Sequence, residues 1–440
     1  MIKIRPSAST SLVRSQQLSR QVISDIKTLL VFYKNEHNRS LSSEEVQTIA
    51  GLLKTLSYFS AKLKEASHDQ RWQIVSPELY QWYFKALGIL KAKEWNLFKE
   101  CISDLSQQIL PRLLSLGFQI NEIPILLDSE YKIHFPQVRK IYCFPKVNGK
   151  LVKSRLENKT MLLENNQHRV KINIKRLLEN LEDSQWSQRP RIAGTSIYYK
   201  QSGDELGQVI KTIASETSMA KEEASELCNV SWHEFFNDKL YINSRRKIDR
   251  AMRLIKNISP TFYEEVVSVT HAFSLLKNTC LIGATVISYY GVCFLNPRSD
   301  WNVITFADHI VHEAAHQILY AWHELSPLLV NCNEMGYPSP IRDDPRPLYG
   351  SFHATFVFLR LVLFFDQLVR KTKSREAEFR FHRHLQGLYT GMDVLEKAAK
   401  FTPKGKELFQ AMKFETARFK KRIPRPDPKA YNRYLRDYSN

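Results

Sequence analysis

Apolar positions along this chain recur first with a helical period, then with a period of two, then with a helical period again. From residue 18 to about 117 the spacing is helical. Val22, Ile26, Leu29, Leu30 and Tyr33 form one stripe, and Val46, Ile49, Leu52, Leu53, Leu56 and Phe59 a second, capped by Ser42 or Ser43. Pro77 opens a third helix through Leu79, Tyr83 and Leu87, and Trp95 to Leu116 a fourth, in which Pro111 is expected to make a kink. Between about 124 and 200 the period shortens. Segments 140–147 and 150–154 flank Asn148-Gly149, a strong hairpin signal, and 160–163 and 170–174 flank Asn165-Asn166-Gln167. Residues 191–199 read as a further strand. After Asp204 helices resume over 205–215, 218–228, 244–257 and 260–277, followed by a buried strand pair, 284–288 with 292–295.

Two stretches break the amphipathic rule. Residues 305–327 contain no internal Gly or Pro and are apolar around most of the helix, with Thr305 and Asp308 as a capping box and Pro327 as the stop. The polar exceptions His309, His312, His316 and His323 lie on one face. Residues 348–369 form a second apolar helix whose His353, Arg360 and Gln367 also share a face. The connection between them, 328–347, carries Pro338, Pro340, Pro345 and Pro347, and long connections of this kind tend to be functional. Charged helices follow to about 421.

The pattern gives a predominantly α-helical α+β protein: a helical N-terminal region (1–123), a small antiparallel and basic β region (124–203), a helical core (204–421) and an extended tail (422–440).

Composition changes this picture in one respect. With 64 Lys+Arg against 45 Asp+Glu, the 440 residues carry a net charge of +19. Such a field favours polyanions or acidic peptides. Neither an arginine-rich tract nor zinc-finger spacing points to nucleic acid, which is therefore disfavoured. The β region is conspicuously basic (Lys150, Lys153, Arg155, Arg169, Lys171) and is either a solvated sheet face or a peptide-binding edge. Six cysteines without a CxxC fit free thiols in a reducing compartment. The Ser- and Arg-rich N-terminus has only a faint transit-peptide character and no apolar core, and the longest apolar run falls short of a membrane span. A soluble cytoplasmic protein is expected.

His312-Glu313-Ala314-Ala315-His316 is an HExxH. Imidazoles at i and i+4 project side by side, about 6 Å apart along the axis, so both can bind one ion. Glu313 lies beside the first histidine, where it could handle a proton. His353 and Arg360 on the next buried helix are what a third ligand and a carboxylate anchor would look like.

Together, VHEAAHQIL, PSPIRDDPRPLYG and SFHATFVFLRL resemble the HEXXH-motif domain proteins of peptide natural-product clusters, over roughly residues 280–370. Some of that family are iron- and 2-oxoglutarate-dependent β-hydroxylases of ribosomally made precursor peptides. The resemblance implies Fe(II) held by His312 and His316, with His353 as third ligand. If a carboxylate is required, Glu334 and then Asp308 are the candidates. It implies a 2-oxoglutarate whose distal carboxylate meets Arg360, with Arg342 and Arg346 as rival anchors or peptide contacts. His309 and His323 would support the ligands or the core. The partner is then a precursor peptide, with no membrane. Two other readings stand: a zinc peptidase with Glu313 as base activating zinc-bound water, and a non-catalytic basic peptide-binding module. The buried arginine separates the oxygenase from the zinc peptidase, since a hydrolase does not need it.

Overall fold

A computed structural model describes residues 8–37, 40–64, 66, 71, 72, 74–115, the strand segments 123–126, 132–135, 140–143, 151–157, 160–164 and 169–173, positions 192, 195 and 197–199, and then 239–276, 282–337 and 347–419. The architecture is α+β and predominantly helical. The chain divides into two compact units, residues 19–190 and residues 1–18 together with 191–440. The N-terminal helices and the basic β segment, separate in the sequence reading, thus share one unit. The expected helices 205–215 and 218–228 and the tail 422–440 lie outside the described residues.

The first unit holds most of α1 (Ala8–Glu36), then α2 (Ser43–Lys62), α3 (Pro77–Lys91) and α4 (Trp95–Ser115). Ser42 caps α2: its hydroxyl accepts from the Glu45 N–H while the Glu45 carboxylate accepts from the Ser42 N–H. Four strands pair antiparallel in the order β1 (Ile123–Leu126), β4 (Leu151–Glu157), β5 (Thr160–Glu164), β6 (Arg169–Asn173). The pair flanking Asn165-Asn166-Gln167 forms as read. The one flanking Asn148-Gly149 does not: β3 (Lys140–Cys143) pairs with β2 (Lys132–Phe135), while β4 lies between β1 and β5. Turn residues signal a local reversal; the long-range partner decides the sheet.

The second unit carries the HExxH. Helix α5 (Lys239–Ile258) buries Tyr241, Ile248, Met252 and Ile255, and α6 (Pro260–Val269) follows. The helix expected over 260–277 ends early, because Ala272–Leu275 is strand β8, buried along its whole length and parallel to β10 (Val292–Leu295). A fully buried strand has no alternation, so its apolar run continued the helical pattern. The sheet order is β7 (Tyr198–Tyr199), β8, β10, β9 (Gly283–Ala284). Strand β9 is shorter than the expected 284–288, since Ile287–Tyr289 is a 3-10 turn, and it closes the sheet as an antiparallel edge.

Helix α7 (Val303–Leu325) begins one turn before the expected cap. Its N-cap is Asn302, whose side-chain oxygen accepts from the Thr305 N–H at 3.0 Å. Helix α8 (Leu348–Thr372) packs closely on α9 (Arg375–Ala398), and α10 (Pro403–Ala417) follows. The approach is close because Gly391 has no side chain: a Cβ there would lie 2.1 Å from Thr355 Oγ1. Among the described residues α8 alone is long and apolar enough to cross a membrane, but 89% of its apolar window is buried inside the protein.

Candidate metal centre

From Thr305 to Trp322 on α7 all residues are buried except His312, His316 and Tyr320. These are i, i+4 and i+8, a single accessible line on a core helix. The helix is fixed about its axis by Gln317, which accepts from the Gly291 N–H at 2.9 Å and donates to the Val292 carbonyl at 3.2 Å, binding α7 to β10. His312 Nε2 and His316 Nε2 stand 3.1 Å apart. Ligands held about 2.0–2.1 Å from one ion have a comparable separation.

His353 comes from the second turn of α8. Its ring meets His316 edge-on at 4.6 Å and Tyr320 at 4.6 Å, with Tyr349 at 5.1 Å. His353 is buried, and its Nε2 has no hydrogen-bond partner among the described residues. A buried imidazole nitrogen without a partner is costly unless something binds it, so the donor set fits a metal ion. Among the described residues, no three His, Cys, Asp or Glu side chains already surround a common point.

Burial holds all three imidazoles neutral at physiological pH, the form that ligates. It pulls His312 down to about 4 against the opposing charge of Asp308, and His353 to about 3 against a hydrogen bond to the His316 backbone. Burial, with His353 and His312 nearby, brings His316 well below its ordinary value.

Glu313 faces the sheet. Thr285 donates its hydroxyl to the Glu313 carboxyl at 2.6 Å, and a Cβ at Gly283 would fall 2.8 Å from Glu313 Oε1 and 3.2 Å from the Phe294 carbonyl. The carboxyl is thus lodged where β9 lacks a side chain, and burial pushes it up to about 8 despite the Thr285 bond. Tyr320 completes the link: its hydroxyl donates to the Thr285 carbonyl at 3.2 Å while its ring stands against His353.

Asp308, the last of the candidate carboxylate ligands, is engaged elsewhere. Arg380 donates to it at 2.7 Å and His384 Nε2 lies 3.1 Å away, joining α7 to α9. Burial opposes the charge, but His384 and Arg380 outweigh it and hold the carboxyl well below the usual range. A depressed folded-state pKa stabilises the fold above the unfolded value and loses that contribution as pH falls through the folded one. Asp308→Asn should therefore destabilise the protein by about 1–3 kcal/mol at neutral pH, because buried Arg380 loses a charge-assisted partner on α7 and keeps Glu376 on its own helix. In urea unfolding the gap between wild type and variant should be full from about pH 6 to 8 and shrink only below about pH 4. A gap that does not change with pH would mean the carboxylate charge is not what holds the helices.

The other sequence candidates sort as follows. Arg360 is not directed at the histidines: it is paired with Glu265 of α6, and its guanidinium lies 4.7 Å over the Phe262 ring. Both members are buried, at 3% and 4% exposure, and Ser11 also donates to Glu265 at 2.9 Å. Arg360, expected as the co-substrate anchor, is thus already engaged by a carboxylate. Glu334 is exposed and accepts from Asn331 at 2.7 Å and from Tyr337 at 2.9 Å, so it is no third ligand as it stands. Arg342 and Arg346 lie outside the described residues. His309 stacks on Trp301 at 4.2 Å, and His323 packs on Tyr349 at 4.3 Å, both as core-type contacts.

Sequence reasoning missed Tyr320, Tyr349 and Thr285. The tyrosines carried a usable signal, each lying four residues from a ligand candidate on its own helix. Thr285 carried none. No known family model matches the chain, and no curated protein matches it significantly.

Proposed function

We propose that this chain is a mononuclear metal enzyme acting on peptides, and that it is an Fe(II)- and 2-oxoglutarate-dependent hydroxylase of a precursor-peptide side chain in the cytoplasm. The observation that carries the metal reading is the line of accessible positions on α7: two imidazole nitrogens 3.1 Å apart with the unpartnered Nε2 of His353 beside them. His312, His316 and His353 would hold the ion. Iron bound there would supply the one-electron chemistry that activates oxygen, which no side chain provides.

The chain's own part is to keep the three imidazoles neutral and oriented. Tyr320 and Tyr349 wall His353, and Gln317 fixes the rotation of α7. The described residues do not fit 2-oxoglutarate through Arg360, whose charge is neutralised by Glu265. The anchor role therefore passes to Arg342 or Arg346 in the Pro-rich connection, and the finer reading rests on the resemblance of that connection and its neighbours.

A zinc peptidase would use the same histidines. It also needs Glu313 as an ionised base at the reacting water, whereas that carboxyl is hydrogen-bonded by Thr285 and lodged against Gly283. This favours a structural part for Glu313 and the oxygenase over the hydrolase. The test is succinate release from 2-oxoglutarate with Fe(II), ascorbate and air, read together with the mass of an incubated peptide. A gain of one oxygen supports the proposal; peptide cleavage with no 2-oxoglutarate requirement overturns it.

A further inference from the structure

Helix α5 has a second face that the metal centre does not use. Its 20 residues include Lys239, Arg245, Arg246, Lys247, Arg250, Arg253 and Lys256 against the single acid Asp249. Arg246, Arg250 and Arg253 follow i, i+4 and i+7 spacing, so they form one exposed row about 10 Å long. No carboxylate lies within ion-pair distance of these three among the described residues. They line an open cavity of about 410 Å³ together with Asn243, Lys247 and Asp249. Asp249 itself accepts a hydrogen bond from the Tyr199 hydroxyl at 3.3 Å. Among the described residues lining this cavity the positive charge is met by one acid, Asp249, whose charge Arg253 and Arg245 favour.

We propose that this face of α5 binds an acidic segment of the peptide substrate, an inference that rests on reading the substrate as a peptide. The apolar face of the helix is buried in the core through Ile248, Met252 and Ile255, so α5 has no apolar side to insert into a membrane. Single-stranded nucleic acid needs aromatic faces for its bases. The rings here, Tyr199 and Tyr241, are buried and covered by Arg245 at 4.9 and 5.7 Å. One lining residue, Lys247, also touches the segment that leads into the metal helix. Lys247 donates to the Trp301 carbonyl, and the Trp301 ring stacks on His309, one turn before His312. An acidic segment seated on Arg246, Arg250 and Arg253 would thus be held at the N-terminal end of α7.

The experiment uses the full chain and fluorescence anisotropy with a short labelled peptide of alternating glutamate and alanine. Its lysine–alanine counterpart, polyphosphate and a short DNA duplex serve as competitors. The triple variant Arg246→Glu/Arg250→Glu/Arg253→Glu should bind the acidic peptide at least about tenfold more weakly, since three attractions become repulsions. Arg246→Gln/Arg250→Gln/Arg253→Gln should fall between it and wild type, which keeps the test open if charge reversal impairs folding. A charge-matched control, Lys397→Glu/Lys400→Glu/Lys406→Glu on α9, α10 and the connection between them, should stay within about twofold of wild type. Equal losses in test and control would assign binding to net charge and overturn the proposal. So would tighter binding of duplex or polyphosphate that the α5 variants abolish. Metal content is measured on the same samples, so that a chain without metal affinity sinks the proposed function while the anisotropy still decides the fate of the α5 groove.

Discussion

Alanine at His312 or His316 should lower metal affinity by more than about a hundredfold, exceeding the ten- to hundredfold that loss of a supporting contact costs elsewhere. Each imidazole supplies one of two nitrogens 3.1 Å apart, and neither has a substitute on the accessible line of α7. The measurement is titration with Co(II), whose absorption reports coordination, followed by metal content after dialysis. His353→Ala should move affinity in the same direction, because its buried Nε2 is otherwise without a partner among the described residues. If His353→Ala keeps wild-type affinity, the third ligand is not on α8. The carboxylates described as alternatives would then have to leave existing partners: Asp308 its Arg380 and His384, Glu334 its Asn331 and Tyr337. His309→Gln and His323→Gln should leave occupancy intact, since their rings are packed on Trp301 and Tyr349.

The two buried helices and the gathering of His312, His316 and His353 were legible because helical periodicity is a local property. An apolar helix with a polar line must turn that line toward something other than lipid-like core, and two such helices in succession turn theirs toward each other. Pairings between distant segments were not legible. Asn148-Gly149 announced a hairpin, yet β3 and β4 found partners in different sheets. Ala272–Leu275 read as part of a helix because a strand covered on both faces has no polar alternation. The cap of α7 slipped by a turn for a simpler reason: Asn302 and Thr305 are both good capping residues, and Asn302, which caps, also donates to Glu376 of α9 at 2.8 Å. Glu265, 95 residues before Arg360, gave no sign in sequence of neutralising it.

That last pairing yields the sharpest test. Arg360→Met keeps much of the side-chain volume but leaves the Glu265 carboxylate buried without its cation, which should cost about 3–5 kcal/mol of stability. The Ser11 hydroxyl at 2.9 Å would remain as a partner, too weak to replace a charge-assisted bond. Adding Glu265→Gln removes the stranded charge and keeps an acceptor for Ser11. The double variant should therefore recover most of the loss, and the two single effects should be far from additive. Urea unfolding of the four proteins measures this cycle. If Arg360 instead anchors the co-substrate, Arg360→Met would leave stability nearly unchanged and raise the 2-oxoglutarate requirement about ten- to a hundredfold. The expected result is the reverse: a large stability loss for Arg360→Met, with the raised co-substrate requirement appearing in Arg342→Leu or Arg346→Leu. Because the double variant restores the fold without restoring the arginine, its succinate assay isolates the remaining question. Near-wild-type turnover in Arg360→Met/Glu265→Gln would assign this arginine to the joint between α6 and α8 and the co-substrate to the Pro-rich connection.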